Sequence, residues 1–141
     1  MNQTKTDILI IGLGLAGMTA AITAAKNGKK ITIITKTKEL SSGNTPWAQG
    51  GIVYKGREDT LEELKKDILE AGSGHCWEEA VDHLCEHGPR LVKEILIETL
   101  NTNFDKEGDG YKRVSEGAHS KSRVIYKADQ TGKSIHRSGL K

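Results

Sequence analysis

The strongest constraint on this 141-residue chain lies near its N-terminus, where the short run at residues 7–11, apolar after Asp7, leads directly into Gly12-Leu13-Gly14-Leu15-Ala16-Gly17 and then into an alanine-rich stretch. A run without polar alternation suits a strand buried on both faces of a parallel sheet. Alanine favours helix and Gly28 stands where a left-handed cap is wanted, so a helix is expected over residues 16–27. Residues 31–35, Ile-Thr-Ile-Ile-Thr, then read as a second buried strand. Together these segments make a βαβ unit.

The glycines at the first turn each have a physical task. Gly12 permits a tight strand-to-helix turn, Gly14 lets a pyrophosphate approach the backbone, and Gly17 allows the helix to pack closely. The free amides and dipole of the helix N-terminus then face the phosphates, so the pattern points to a dinucleotide. Where an acidic residue usually closes the second strand and meets a ribose hydroxyl, the chain has Thr35-Lys36-Thr37-Lys38, with Glu39 slightly late. That departs from the NAD pattern. A hydroxyl, a backbone group or Lys36 has to meet the adenosine half, and the alternative is an NADP-like phosphate contact by Lys36 and Lys38.

Composition excludes several other roles. With 21 Lys+Arg against 19 Asp+Glu, spread evenly, the chain has no basic stripe for nucleic acid. Residues 8–25 are 18 uncharged positions, the length of a membrane span, but three glycines divide them into a β-branched half and an Ala/Thr half. No membrane span or secretory signal is expected. Cys76 and Cys85 are too few for a disulfide scaffold and lack metal-knuckle spacing, which suits a reducing compartment such as the cytoplasm. Both are expected as small buried side chains.

Downstream, residues 40–56 show no period and read as an extended loop. Thr60-Leu61-Glu62-Glu63 is a capping box opening a helix that Gly72 ends. A second helix is expected over residues 77–87, then a third with Pro89 at its first position and Leu91, Val92, Ile95, Leu96 and Leu100 along it. Residues 104–114 read as a hairpin around Glu107-Gly108-Asp109-Gly110, residues 123–126 as a strand, and residues 129–132 as a turn into a last helix.

Three further patterns carry weaker chemistry. Asp105, Glu107, Asp109, Gly110 and Glu116 fall at positions 1, 3, 5, 6 and 12 of a calcium loop, but Lys112 occupies a position that is usually hydrophobic. His83-Leu84-Cys85-Glu86-His87 matches a zinc-protease pattern, but Gly88-Pro89 is expected to break the helix there and no third ligand is evident. Gly132-Lys133-Ser134 resembles the end of a P-loop, with Lys127 where its first glycine belongs. No metal site is expected.

Three ordered motifs bring in a resemblance. Ser42-Gly43-Asn44-Thr45-Pro46-Trp47-Ala48-Gln49-Gly50-Gly51-Ile52, Ser115-Glu116-Gly117-Ala118-His119-Ser120, and Arg123-Val124-Ile125 with Ala128-Asp129-Gln130-Thr131-Gly132 follow the βαβ unit at compatible spacing. The chain resembles the flavoprotein family containing L-aspartate oxidase and the flavoprotein subunits of succinate dehydrogenase and fumarate reductase. It carries Ala118 where that family usually has a second glycine.

The resemblance implies an α/β fold: a Rossmann-like FAD-binding βαβ start, then helices, then the beginning of an α+β section. Residues 1–141 would be the N-terminal part of an FAD-binding domain whose capping domain and C-terminal part lie outside it. It implies cofactor contacts at Gly12, Leu13, Gly14, Leu15, Ala16, Gly17, Lys36, Asn44, Thr45, Ala48, Gln49, Gly50 and Gly51, with substrate near Glu116, His119 and Ser120. Trp47 would stack near the flavin or simply pack. Asn44 stands where the respiratory enzymes tether flavin to a histidine, so FAD is expected to be held non-covalently. The glutamate at 116 is the aspartate-oxidase variant of its motif, suited to an α-ammonium.

The implied reaction is FAD-dependent oxidation of L-aspartate to iminoaspartate, with oxygen or fumarate reoxidising the flavin and quinolinate synthase downstream in NAD synthesis. No catalytic group is expected within these residues, so the chain alone should not turn over and should bind flavin weakly at best. The alternatives are a sister enzyme acting on a plain dicarboxylate, and a truncated non-enzymatic flavin-binding or interaction module.

Overall fold

The computed structural model describes residues 3–56 and 58–141. Strands β1 (Ile8–Ile11) and β2 (Ile31–Ile34) pair in parallel, Ile8 opposite Ile31 through Ile11 opposite Ile34, with helix α1 (Leu15–Lys26) as the crossover. Gly28 caps the helix at φ +70°, and its amide donates to the Ala25 carbonyl. The expected unit is therefore present, within a residue or so at each boundary.

Its burial differs from expectation. Leu9 is 54% and Ile11 81% exposed. Among the described residues the two strands have only each other as sheet partners, and a lone pair with a crossover helix cannot cover both faces of β-branched side chains.

The loop expected over residues 40–56 contains a 3-10 turn, Thr45–Trp47, and a short strand β3 (Ile52–Val53). β3 pairs antiparallel with β7 (Val124–Ile125), whose other edge takes β6 (Arg113–Val114). Two-residue strands are too short to show alternation in sequence.

Helix α2 (Leu61–Ala71) has both arms of the expected capping box: Thr60 Oγ1 accepts the Glu63 amide at 3.1 Å and the Glu63 carboxylate accepts the Thr60 amide at 3.0 Å. The expected break at Gly88-Pro89 is absent. Helix α3 (Glu78–Leu91) contains Pro89 and runs on into a π-helical stretch, Val92–Thr99. Proline's fixed φ is helical, and the hydrogen-bond frame widens just beyond it, where Val92, Ile95 and Leu96 are buried. Core packing holds the helix across its missing donor.

The expected hairpin forms from β4 (Lys106–Glu107) and β5 (Gly110–Tyr111), turning at Gly108 with φ +57°. Helix α4 (Thr131–Gly139) follows β7. The main core joins Val92, Ile95, Leu96, Phe104, Ile125 and Ile135, and a second cluster of Leu64, Val81 and Cys85 lies between α2 and α3. Cys76 and Cys85 are free thiols, half-buried and buried, and burial pushes the Cys85 thiol pKa up. Among the described residues, no helix is long and apolar enough to cross a membrane.

Candidate functional site

The glycine turn is built as its residue types require. Gly12 sits at φ +109°, and its amide donates to the Ile34 carbonyl at 2.8 Å, tying the turn to the end of β2. A Cβ on Gly17 would stand 2.2 Å from the Gly12 carbonyl oxygen, so only hydrogen fits. Gly14 is the N-cap of α1 and offers no side-chain cap. The helix's own bonding starts with the Met18 amide on the Gly14 carbonyl, leaving the Ala16 and Gly17 amides for an anion. Beside the turn lies a cleft of about 240 Å³, lined in part by Gly12, Gly14, Thr35, Lys36 and Gly43. Lys36 is thus brought to the glycines.

The loop at 44–51 folds over the same helix end. Asn44 precedes the 3-10 turn and is exposed. Thr45 Oγ1 accepts the Leu15 amide at 3.0 Å. The Ala48 carbonyl accepts the Gly132 amide at 2.8 Å, and a Cβ on Gly132 would stand 1.9 Å from the Thr45 carbonyl oxygen. α4 therefore packs against this loop backbone to backbone. His136, buried on α4, donates through Nε2 to the Leu13 carbonyl at 3.1 Å. Gly51, at φ +152°, fits closely over Val124 and Ile125, while Ala48, Gln49 and Gly50 remain exposed. Trp47 is 77% exposed and packs into no core.

Glu116, His119 and Ser120 form one exposed to half-buried turn, closed by the His119 amide on the Glu116 carbonyl at 2.8 Å. The turn lies over the 44–51 loop: a Cβ on Gly50 would stand 2.9 Å from Glu116 Oε1. Ser120 faces elsewhere. Its amide and hydroxyl both donate to Asp67 Oδ2, at 2.7 and 2.9 Å.

Behind Ser120 is a buried charge cluster that the sequence analysis missed. Arg123, 0% exposed, forks onto Asp59 through Nε at 2.9 Å and Nη2 at 2.8 Å, and its Nη1 donates to Asp67. The Ser120 amide is the largest influence holding the Asp67 carboxyl at about 2, with Arg123 and the Ser120 hydroxyl adding to it. The available signal was Asp67 itself, which follows Leu64 by three residues and so lies on the helix face that Leu64 buries.

The calcium pattern is divided between separate places. Asp105 takes the Lys127 ammonium at 2.6 Å and the Ala128 amide at 2.9 Å, whereas Glu116 lies against Gly50. His83 and His87 meet edge to face on α3, ring centroids 4.4 Å apart. Among the described residues, no group of three His, Cys, Asp or Glu side chains could hold a metal.

The FAD binding domain family matches residues 7–141. The chain belongs to that family. It is 40% identical over 134 residues to an L-aspartate oxidase of Halobacterium salinarum, covering 95% of this chain and 26% of that protein. An L-aspartate oxidase of Synechocystis is 35% identical over 136 residues, covering 96% and 24%. In structure the chain is similar to Mycobacterium smegmatis Sdh1 in complex with UQ1, with a TM-score of 0.87, 26% identity and coverage of 99% and 24%. It is similar also to the FrdA chain of the E. coli quinol fumarate reductase, with a TM-score of 0.86, 26% identity and the same coverage. The chain therefore spans about a quarter of the relatives it matches.

As a member of the FAD binding domain family, the chain has FAD as its cofactor and the expected mixed α/β fold. The residues fit that dinucleotide. The turn has no room for a Cβ at Gly17, the Ala16 and Gly17 amides have no partner among the described residues, and Lys36 borders the adjoining cleft.

Proposed function

We propose that this chain is the N-terminal, flavin-holding part of an enzyme that oxidises L-aspartate to iminoaspartate. The observation carrying this reading is the Glu116 carboxylate lying over Gly50 of the 44–51 loop, which would set a negative charge beside the flavin for the substrate's α-ammonium. Relatives named L-aspartate oxidase support it.

In this reading Gly12, Leu13, Gly14, Leu15, Ala16 and Gly17 hold the pyrophosphate, and Lys36 borders the adenosine half. Asn44, Thr45, Ala48, Gln49, Gly50 and Gly51 line the isoalloxazine. Asn44 offers no group for a covalent tether, so FAD is held without one. When bound, FAD supplies the acceptor for the hydride leaving the substrate α-carbon. Glu116 and His119 bind and orient the substrate, while Ser120 acts through the order of the turn, its hydroxyl being engaged by Asp67. Groups that clamp the substrate's carboxylates come from outside these residues, so the chain alone does not turn over.

Oxygen or fumarate takes the electrons, the latter supported by the fold shared with fumarate reductase. The imine passes to quinolinate synthase, in the cytoplasm. Likeness to Sdh1 and FrdA also favours a second reading, a plain dicarboxylate as substrate.

An oxidation assay on the complete gene product containing these residues separates the two. L-aspartate should be oxidised in preference to succinate, and Glu116→Gln should reverse that order. Succinate oxidation unaffected by Glu116→Gln would establish the second reading instead.

A further inference from the structure

We infer that Asp67, fixed by Arg123 and Asp59, is a positioning residue that sets Glu116 against the flavin loop. The inference rests on the reading of Glu116 as the substrate's charge partner, and the geometry adds how that carboxylate is held. The turn at 116–120 is exposed along most of its length and packs into no core. One end leaves β6, with the Ser115 and Ser122 hydroxyls 2.9 Å apart, and the other is fixed at Ser120, whose amide and hydroxyl meet a single oxygen, Asp67 Oδ2. The closed turn between the His119 amide and the Glu116 carbonyl carries that anchoring across to Glu116.

Asp67 is in turn immobilised. Arg123 donates to it and to Asp59, and so holds both the approach to α2 and the middle of that helix to the start of β7. Two carboxylates and one guanidinium leave a net negative charge in a buried place. Apolar side chains of equal volume would join α2 to β7 at least as well. They could not receive the two donors of Ser120, so the charge is explained by what it orients.

The test is a set of 1H–15N spectra of the labelled chain. Asp67→Asn should shift the Gly50 amide resonance as Glu116→Gln does, should cause no further shift when combined with it, and should speed Ser120 amide exchange by about tenfold or more. Ser120→Ala, which leaves all three buried charges in place, should move Gly50 in the same direction and covers the case in which Asp67→Asn fails to fold. A Gly50 resonance unmoved by Ser120→Ala, or by a folded Asp67→Asn variant that is merely less stable, would overturn the inference. FAD added to the same samples reads the parent proposal separately, because failure to bind leaves the Gly50 result intact.

Discussion

The Thr45 hydroxyl accepts the Leu15 amide at 3.0 Å, so the loop carrying Asn44, Gln49 and Gly50 is bonded to the first turn of α1. A helix end that faces a pyrophosphate must leave amides free, and Gly14 provides no side-chain cap. Thr45 satisfies one of these amides from across the chain. The same residue's carbonyl is packed by Gly132, so α1, the loop and α4 meet at one residue.

Thr45→Val should therefore lower stability by about 1 kcal/mol, the usual cost of a lost helix cap, while Thr45→Ser should keep most of it. Urea denaturation midpoints check this.

Gly17→Ala should destabilise by roughly 1–3 kcal/mol despite alanine's helix propensity, because the new Cβ meets a backbone oxygen that no rotamer change can move. Thermal unfolding measures the loss. Gly88→Ala is the control, since its nearest neighbour is a Leu84 methyl at ordinary contact distance.

Arg123→Met should cost roughly 3–5 kcal/mol by leaving two buried carboxylates without their cation. Replacing Asp59, Asp67 and Arg123 together by apolar residues should recover much of that loss. The triple variant should nevertheless leave the 116–120 turn unanchored, visible as faster Ser120 amide exchange.

Acid should unfold the chain partly through Asp67. Its pKa is about 2 when folded, against an ordinary 3.8, so the unfolded chain binds the proton more tightly. The stabilisation is complete above roughly pH 4 and is lost as pH falls toward about 2. Across that window the urea midpoint of Asp67→Asn should fall less steeply than that of the wild type.

The parts of the fold legible in sequence are those with a local code. The β1–α1–β2 unit shows in apolar runs and glycine spacing, and α2 in its capping box. Pro89 misled because a local rule for ending helices lost to the burial of Val92, Ile95 and Leu96 beyond it. The exposure of Leu9 and Ile11 was hidden for a related reason, since an apolar run shows what a strand is suited to and not what covers it.

At the site, the tight turn at Gly12 and the close packing at Gly17 were legible. Glu116 stood out as the carboxylate of its motif, but its place over Gly50 depends on β3 joining β7, a pairing of two residues each that leaves no periodic signal. Of the Asp59–Arg123–Asp67 cluster only the place of Asp67 on the Leu64 face of α2 was legible, because nothing in a sequence says which distant charges share a buried space.

The most direct test of the account is a titration of the purified 141-residue chain with FAD, followed by flavin fluorescence and melting temperature, beside Gly17→Ala. Saturable though weak quenching with a raised melting temperature, lost in the variant, is the predicted result. Quenching that never saturates, or that is equal in both chains, would contradict a site formed by the glycine turn.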